Sequence, residues 1–413
     1  MQTSSILTTK KRRRQKMNFK ITDFGAVSSE EILQTGAIQA CINKCHEVGG
    51  GQVTVPAGKY LIGSLRLYSN MTLYLETGAV LLGSKEYKDY EDFKVPTTIK
   101  YLYDNNFIKA WNLPKYYFYA MITAFEEENI KIIGEPGSVI DGRDVLDPNG
   151  EEEFRGPMGI IMSGVKNLEL SGYTFINSAN WSHTLDGCLN IKISNVNILA
   201  GHDGFNLHHS SDIQVENCHL ETGDDCFAGY DIQNLCVNHC TLNTACNSMR
   251  IGGENIVFDT CTYLGPGHYP HISENSYYTH AIFKFYSMSG DSIRTEAKDI
   301  SIRHGIIDDA DRLFMYDFGK KELMQNHLPL RSLLLENVSI SKLRHTSVFK
   351  GNGEKVELTL KNTQLNYESD EVFLEIDEWV ALALENVYFV HSTRIKRGNH
   401  EILLHGKIDF QKL

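Results

Sequence analysis

The sequence has no excess of positive charge: 40 lysines and arginines stand against 52 aspartates and glutamates, a formal net charge of −12. A nucleic-acid-binding chain normally shows a basic face, so that class is set aside. The same deficit sits awkwardly with a strongly anionic polymer as substrate, unless a local basic pocket overrides it. No window approaches the roughly 18 consecutive apolar residues of a membrane-spanning helix, which excludes a helical membrane protein. An export signal is lacking too. The apolar pair Ile6-Leu7 is too brief for a signal-peptide core, and the basic residues follow it instead of preceding it. A soluble protein is expected, cytoplasmic in the absence of such a signal, with its oligomeric state left open. The nine cysteines include no Cys-x-x-Cys pair, so a zinc knuckle is not indicated, and an odd number leaves at least one thiol unpaired in a monomer.

What is present is ordinary in bulk, 42% hydrophobic and 22% charged, enough for a substantial core. The first 16 residues read as an addition, ending in Lys10-Lys11-Arg12-Arg13-Arg14-Gln15-Lys16 just before Met17. Three readings compete for them: a targeting or nucleic-acid tail, a solvated tail, or translated upstream sequence with Met17 as the true start. The third is favoured, and residues 17–413 are taken as one domain.

The most informative feature is an internal repeat. A polar residue, often Asn or Asp, precedes an alternating run of β-formers at Asn167-Leu168-Glu169-Leu170, Asn190-Ile191-Lys192-Ile193 and Asp212-Ile213-Gln214-Val215. It returns at Asn234-Leu235-Cys236-Val237, Asn255-Ile256-Val257-Phe258 and Asp299-Ile300-Ser301-Ile302. From Asn190 the steps are 22, 22, 21 and then 44, the last read as one skipped coil. Looser copies continue at Ser332-Leu333-Leu334-Leu335, Val356-Glu357-Leu358 and Ala381-Leu382-Ala383-Leu384. Short strands at this interval, with turn residues between and almost no helical periodicity, predict a single-stranded right-handed parallel β-helix with about 22 residues per coil. Successive coils stack at roughly 4.8 Å, so residues about 22 apart lie one above another. Cys218, Cys240 and Cys261 then read as a stack of small buried side chains, not as disulfides or a metal site.

Two segments depart from the repeat. Gln34 to His46 places Ala37, Ile38, Cys41, Ile42 and Cys45 at helical spacing before Gly49-Gly50-Gly51, an amphipathic helix suited to cap one end of the solenoid. Residues 85–120 are rich in aromatics, from Tyr87 and Tyr90 through Trp111 to Tyr119. They are expected to pack on the solenoid, with stacking on sugars a compatible second role. Trp379 and the basic run Arg394-Ile395-Lys396-Arg397 read as packing and surface.

The coil spacing gives the acids of Gly223-Asp224-Asp225-Cys226 a meaning that adjacency alone does not. Asp203 lies 22 residues before Asp225 and Asn247 lies 22 after it, so Asp203 is expected directly beneath Asp225 and Asn247 directly above. Carboxylates crowded on one face repel and raise at least one pKa, which sets a general acid beside a general base. Hydrolysis of a glycosidic bond needs that pairing.

The chain here resembles glycoside hydrolase family 28, the polygalacturonases and their relatives, over most of Phe19 to about Tyr316. The resemblance runs through Ile21-Thr22-Asp23-Phe24-Gly25-Ala26-Val27, the segments Gly49 to Tyr60 and Asn70 to Ala79, Ile140-Asp141-Gly142 and Asn177-Ser178-Ala179-Asn180-Trp181. The family's Asn-Thr-Asp-Gly motif corresponds to Gly201-His202-Asp203-Gly204, and its Gly-Asp-Asp-Cys motif is intact at 223–226. The resemblance implies an inverting glycosidase without a cofactor, with Asp224 as general acid and Asp203 and Asp225 activating water. It also shows departures. The family's Gly-His-Gly falls on Cys246-Asn247-Ser248, and its Arg-Ile-Lys on Ile282-Phe283-Lys284, so the histidine and the arginine that meet a galacturonate carboxylate are lost. Lysine does not reproduce an arginine fork, and Arg250 is the nearest replacement. Asn247, Arg250 and Lys284 are therefore candidate substrate contacts, with His202 and His268 for further subsites. A substrate other than plain polygalacturonate follows, taken from a chain end as a short pectin-derived or related oligosaccharide. Two alternatives remain at this point: a carbohydrate-binding solenoid that has lost catalysis, and a uronic-acid lyase or epimerase, for which no calcium cluster is legible. A histidine–aspartate metal site, drawn from His268, His271 and His280 with His202, His208 and His209 flanking Asp203, is the weaker reading of those histidines.

Overall fold

The computed structural model describes residues 17–91, 119–288 and 293–413. The basic tail and most of the aromatic segment lie outside these residues. Of that segment, Tyr87 is exposed, Tyr90 is buried with its hydroxyl donating to the Ser84 carbonyl at 2.8 Å, and Tyr119 packs on the core.

The molecule is a right-handed parallel β-helix. Each coil contributes three short strands, and each strand pairs in parallel with its counterpart one coil away. Leu189–Ser194, Asn197–Ala200 and Phe205–His208 form one coil; Ser211–Glu216, His219–Thr222 and the start of Phe227–Asn238 form the next. The pairing Leu189↔Ser211, Asn197↔His219 and Phe205↔Phe227 shows the 22-residue offset directly. The aliphatic positions of the repeat stack in register from Leu168 through Ile191, Ile213, Leu235 and Ile256 to Ile300, and on to Leu382, all essentially buried. Phe205 and Phe227 stack on another face with ring centroids 5.4 Å apart, and Phe258, two residues after Ile256, meets Phe227 edge-on across the core at 5.2 Å.

The polar residue that opens each repeat has a structural cause. Asn129, Asn167, Asn190, Asp212, Asn234 and Asn255 all sit at φ between +55° and +58°, the left-handed region in which Asn and Asp are the best tolerated non-glycine residues. Their side chains form a ladder: Asn190 donates to Asn167 at 2.7 Å, Asn167 to Asn129 at 3.0 Å, and Asn255 to Asn234 at 3.0 Å. All nine cysteines are free, and Cys218, Cys240 and Cys261 each donate back to the turn carbonyl two residues earlier.

The step of 44 is not a skipped coil. Ile256 pairs directly with Ile300, so one coil is enlarged, and it still carries its other strands, Thr262–Leu264 and Ala281–Phe285. Its extra residues leave the solenoid as loops, the first spanning residues 265–280.

Helix Thr35–Glu47 covers one end, burying Ile38, Cys41, Ile42 and Cys45. At the other end Val380–Arg397 and His400–Lys412 fold into an antiparallel hairpin, the only antiparallel ladder between described strands. It turns the open edge of the last coil into a closed pair. Ile395 is buried within it, while Lys396 and Arg394 pair with Glu375 and Glu401 at the surface. No helix among the described residues is long and apolar enough to cross a membrane.

Candidate active site

The stacked acids lie in one corner of the solenoid, between the second and third strands of successive coils. Asp203 follows Asn197–Ala200, and Asp224 and Asp225 follow His219–Thr222. Coil stacking brings them into register as the spacing predicts: the Gly204 amide donates to the Asp225 carbonyl at 2.9 Å, and the Cys226 amide to that of Asn247 at 3.1 Å. Gly223 makes the corner passable. A Cβ there would lie 2.2 Å from the Pro270 carbonyl oxygen and 2.4 Å from that of Gly201.

One oxygen from each of the three carboxylates lies within 4.8 Å of one from the other two. The Asp225 amide donates both to Asp203 Oδ1 at 3.1 Å and to Asp224 Oδ1 at 3.0 Å. Asn206 donates to Asp203 Oδ2 at 2.7 Å, and Asn247 donates to Asp225 Oδ1 through its side chain at 2.7 Å and its amide at 3.2 Å. Asn247 thus sits above Asp225, where the family histidine would stand, and supplies neutral donors.

The three acids differ in charge environment. Burial, then the charges of Asp224 and Asp225, pushes Asp203 well above the usual carboxylate range. Burial and Asp224 also raise Asp225, against Arg250 and the Asn247 hydrogen bond. Burial opposes ionisation of Asp224 as well, but Arg155, with His271 and Arg250, outweighs it and holds that carboxyl below its ordinary value. Of the three, Asp203 is thus the most disposed to hold a proton and Asp224 the least.

A cavity of about 210 Å³ opens over this corner. Asp203, Asp224, Asn247, Arg250 and Lys284 line it, so the structure brings these predicted residues together. Arg250 and Lys284 are register partners on adjacent coils. The Arg250 guanidinium lies over the Tyr286 ring at 4.3 Å and 4.0 Å from Asp225 Oδ2. Burial and Arg250 lower the pKa of Lys284. The lost arginine of the Ile282-Phe283-Lys284 triplet thus has a cation one coil below Lys284 in its place.

Two predicted contacts are not there. His268 is exposed, with its ring 3.1 Å from Glu221 and its amide held by Asn243 at 2.7 Å; its loop carries it outside the cavity. His202 is buried against Phe154 behind the acids and does not line the cavity; burial, then Arg155, drives its pKa well down, so it is a neutral packing group. The enlarged coil supplies other histidines instead. His271 lies 3.8 Å from Asp224 Oδ1, and His280 lies 3.1 Å from Glu274, their rings stacked at 6.0 Å. The loop is pinned to the solenoid by Thr279, whose hydroxyl donates to the Thr244 carbonyl, and by the His280 amide donating to Cys246, both at 2.7 Å.

Sequence reasoning missed Arg155, Glu152 and Glu274. Arg155 comes from a loop after Val139–Asp141, 69 residues before Asp224, where no period relates the two. Its guanidinium meets Asp224 Oδ2 at 3.2 Å and Glu152 at 2.9 Å, and Ser273 ties Glu152 to the enlarged coil at 2.7 Å.

Asp203, Asp224 and Asp225, or Asp224, Cys246 and His271, also have the proximity of metal ligands. The first set already faces two arginines, and burial with mutual repulsion disfavours ionisation of Asp203 and Asp225. In the second, burial and the neighbouring aspartates push the Cys246 thiol well above its ordinary value, and a protonated thiol is a poor ligand. Neither donor set fits a resident cation.

Comparison with known proteins places the chain in a family and a fold. The model of the family Glycosyl hydrolases family 28 matches residues 45–254. A protein of Vitis vinifera named Probable polygalacturonase is 28% identical over 209 residues, 48% of this chain and 40% of that protein. The Exo-poly-alpha-D-galacturonosidase of Dickeya chrysanthemi is 35% identical over 123 residues, 30% of this chain and 19% of its own length. The chain thus spans less than half of these curated relatives. The solved family 28 exopolygalacturonase of Yersinia enterocolitica shares the fold at a TM-score of 0.68 and 19% identity, over 94% of this chain and 76% of that one.

Proposed function

Because the chain belongs to glycosyl hydrolase family 28, we propose that it hydrolyses the terminal glycosidic bond of short acidic oligosaccharides, releasing one uronate residue with inversion at the anomeric carbon. The observation that carries this reading is the convergence of Arg155, Arg250 and Lys284 on the cavity that holds the acids. A neutral sugar would offer these cations only neutral oxygens. A uronate supplies the carboxylate that a guanidinium fork recognises. Within the cavity these three cations stand among the carboxylates of Glu152, Asp203, Asp224 and Glu274 and give an anionic substrate positive groups to meet.

Size supports the end of a chain as the point of attack. About 210 Å³ is below the roughly 300–1,000 Å³ of pockets for drug-sized ligands and suits a single sugar ring. The name of the Dickeya relative, an exo-acting galacturonosidase, points the same way.

In this mechanism Asp224 protonates the leaving oxygen. Asp203 and Asp225 hold a water on the other face of the sugar and accept its proton as it attacks. Inverting enzymes usually hold acid and base roughly 6.5–9.5 Å apart, wider than the closest approach here, so the sugar must enter between Asp224 and the Asp203–Asp225 pair. Arg250 and Lys284 hold the substrate carboxylate, and Asn247 keeps Asp225 oriented. Trp181 and Tyr286 give the cavity aromatic surface. Digestion of defined oligogalacturonides and related acidic fragments tests the reading: a free monouronate as first product, with inverted anomeric configuration by proton NMR, is expected. Internal fragments as first products would overturn the exo assignment.

A binding role without turnover has one observation in its favour, the Arg155–Asp224 ion pair, which favours the ionised form of the acid. It predicts tight binding, no product from any fragment, and no change in affinity when Asp224 becomes Asn.

A further inference from the structure

The Arg155–Asp224 contact poses a chemical problem for the reading just given, because a general acid must carry a proton and an arginine beside it disfavours one. Arg155 is 7% exposed and its guanidinium faces both Asp224 and the cavity. It is carried by a loop that does not belong to the coils and that meets the enlarged coil through Glu152 and Ser273. Glu152 gives the guanidinium a second carboxylate within reach when it leaves Asp224.

We propose that Arg155 is a substrate-displaced counter-ion: the carboxylate of an incoming uronate draws its guanidinium off Asp224, and Asp224 then takes over the proton it donates to the leaving oxygen. The proposal rests on the reading of Asp224 as the general acid. Its geometric basis is a guanidinium 3.2 Å from that acid, inside a cavity of about 210 Å³ that the substrate must share. The groups facing Asp224 explain the direction of the change. Asp203 and Asp225 lie on its own corner, His202 behind it, His271 on the enlarged coil, and Arg250 and Lys284 on the coils above. Arg155 is the strongest of the groups that keep it ionised, acting against burial. With that cation engaged elsewhere, burial and the two aspartates favour the protonated form. Asp203 and Asp225 are then left to share the charge a base requires. A neutral sugar leaves Arg155 where it is, so the device selects for an acidic terminal residue by switching the acid on.

The test compares a uronate-ended disaccharide with the same molecule reduced to the neutral sugar at its carboxyl. Asp224 must be protonated to act, so the alkaline limb of kcat follows its pKa in the complex. For the wild type that limb is expected higher on the uronate by about 1–3 pH units, the span an adjacent cation commonly covers. In Arg155→Gln the two limbs coincide at the higher pH, because Asp224 then has no such cation to lose on either substrate, and activity on the neutral analogue rises toward that on the uronate. Coincident limbs in the wild type would overturn the proposal, and so would equal losses on both substrates in Arg155→Gln with no movement of either limb. The wild-type comparison stands even where the variant does not fold. Asp224→Asn separates the two readings: retained turnover in that variant refutes the acid assignment itself, whatever Arg155 does.

Discussion

At one corner of the coils Asn167 and Asn190 stack side chain on side chain, and at another Asp203 and Asp225 stack, likewise one coil apart. An amide carries both donor and acceptor, so each rung satisfies the next and the ladder closes on itself. An ionised carboxylate only accepts. Stacked acids therefore need donors and cations from outside the stack, and the structure brings them: the donors Asn206 and Asn247 from neighbouring positions and Arg155 from a loop, and the charge of Arg250 from the next coil. One geometric repeat yields a scaffold where its rungs are self-complementary and a reactive site where they are not.

Making the acid corner resemble the amide corner breaks this difference. Asp225→Asn keeps the shape and removes one charge; hydrolysis is expected to fall by about 10²–10⁴-fold, the usual contribution of acid–base catalysis. Thermal stability is expected to rise, because the repulsion it relieves serves only function. A variant with both activity and stability unchanged would contradict the role given to Asp225.

The pH dependence of stability sharpens the contrast. Asp203 and Asp225 titrate higher in the folded protein than the roughly 3.9 of a free aspartate. The folded state therefore binds more protons than the unfolded one, and these residues lower stability as pH rises from about 4 through their raised values. Asp224, held low, has the opposite sign: it adds stability above about pH 4 that is lost as pH falls further. Melting curves of Asp203→Asn across pH 4–8 should decline less steeply with rising pH than those of the wild type, and an unchanged slope would count against the crowded-acid picture.

The amide corner responds in stability alone. Asn234 donates to Asp212 and accepts from Asn255 while holding φ at +55°. Asn234→Ala removes the exposed rung and strains the turn, at an expected cost of about 1–3 kcal/mol. Asn234→Gly, which keeps the conformation open, should cost less, and activity should not change. Equal costs for the two would remove the conformational part of the argument. The smallest effect is expected at His268, where Ala should leave kcat/KM within about 2-fold, since its ring faces Glu221 outside the cavity.

Both corners were legible in the sequence for one reason: a fixed period turns sequence distance into spatial distance. Asn167, Asn190 and Asn234 announced the turns, and Asp203, Asp225 and Asn247 fell into register once the 22-residue step was known. Where the period fails, legibility fails with it. The 44-residue step looks the same in sequence whether a coil is skipped or enlarged, and only the Ile256–Ile300 pairing separates the two. His268 and His271 stand three residues apart in that loop, and no spacing rule says which faces the acids. Arg155 reaches Asp224 across 69 residues from another loop. The acids are thus set by the repeat, and the cation and histidines that surround them come largely from its interruptions.

The most direct measurement is the first product released from a panel of uronate-ended oligosaccharides by the wild type and by Asp224→Asn. The account predicts a monouronate from at least one fragment with the wild type and a loss of at least about 100-fold in the variant, within the range for a removed general acid. Turnover that survives in Asp224→Asn, or a wild type that binds these fragments and cleaves none, would contradict it.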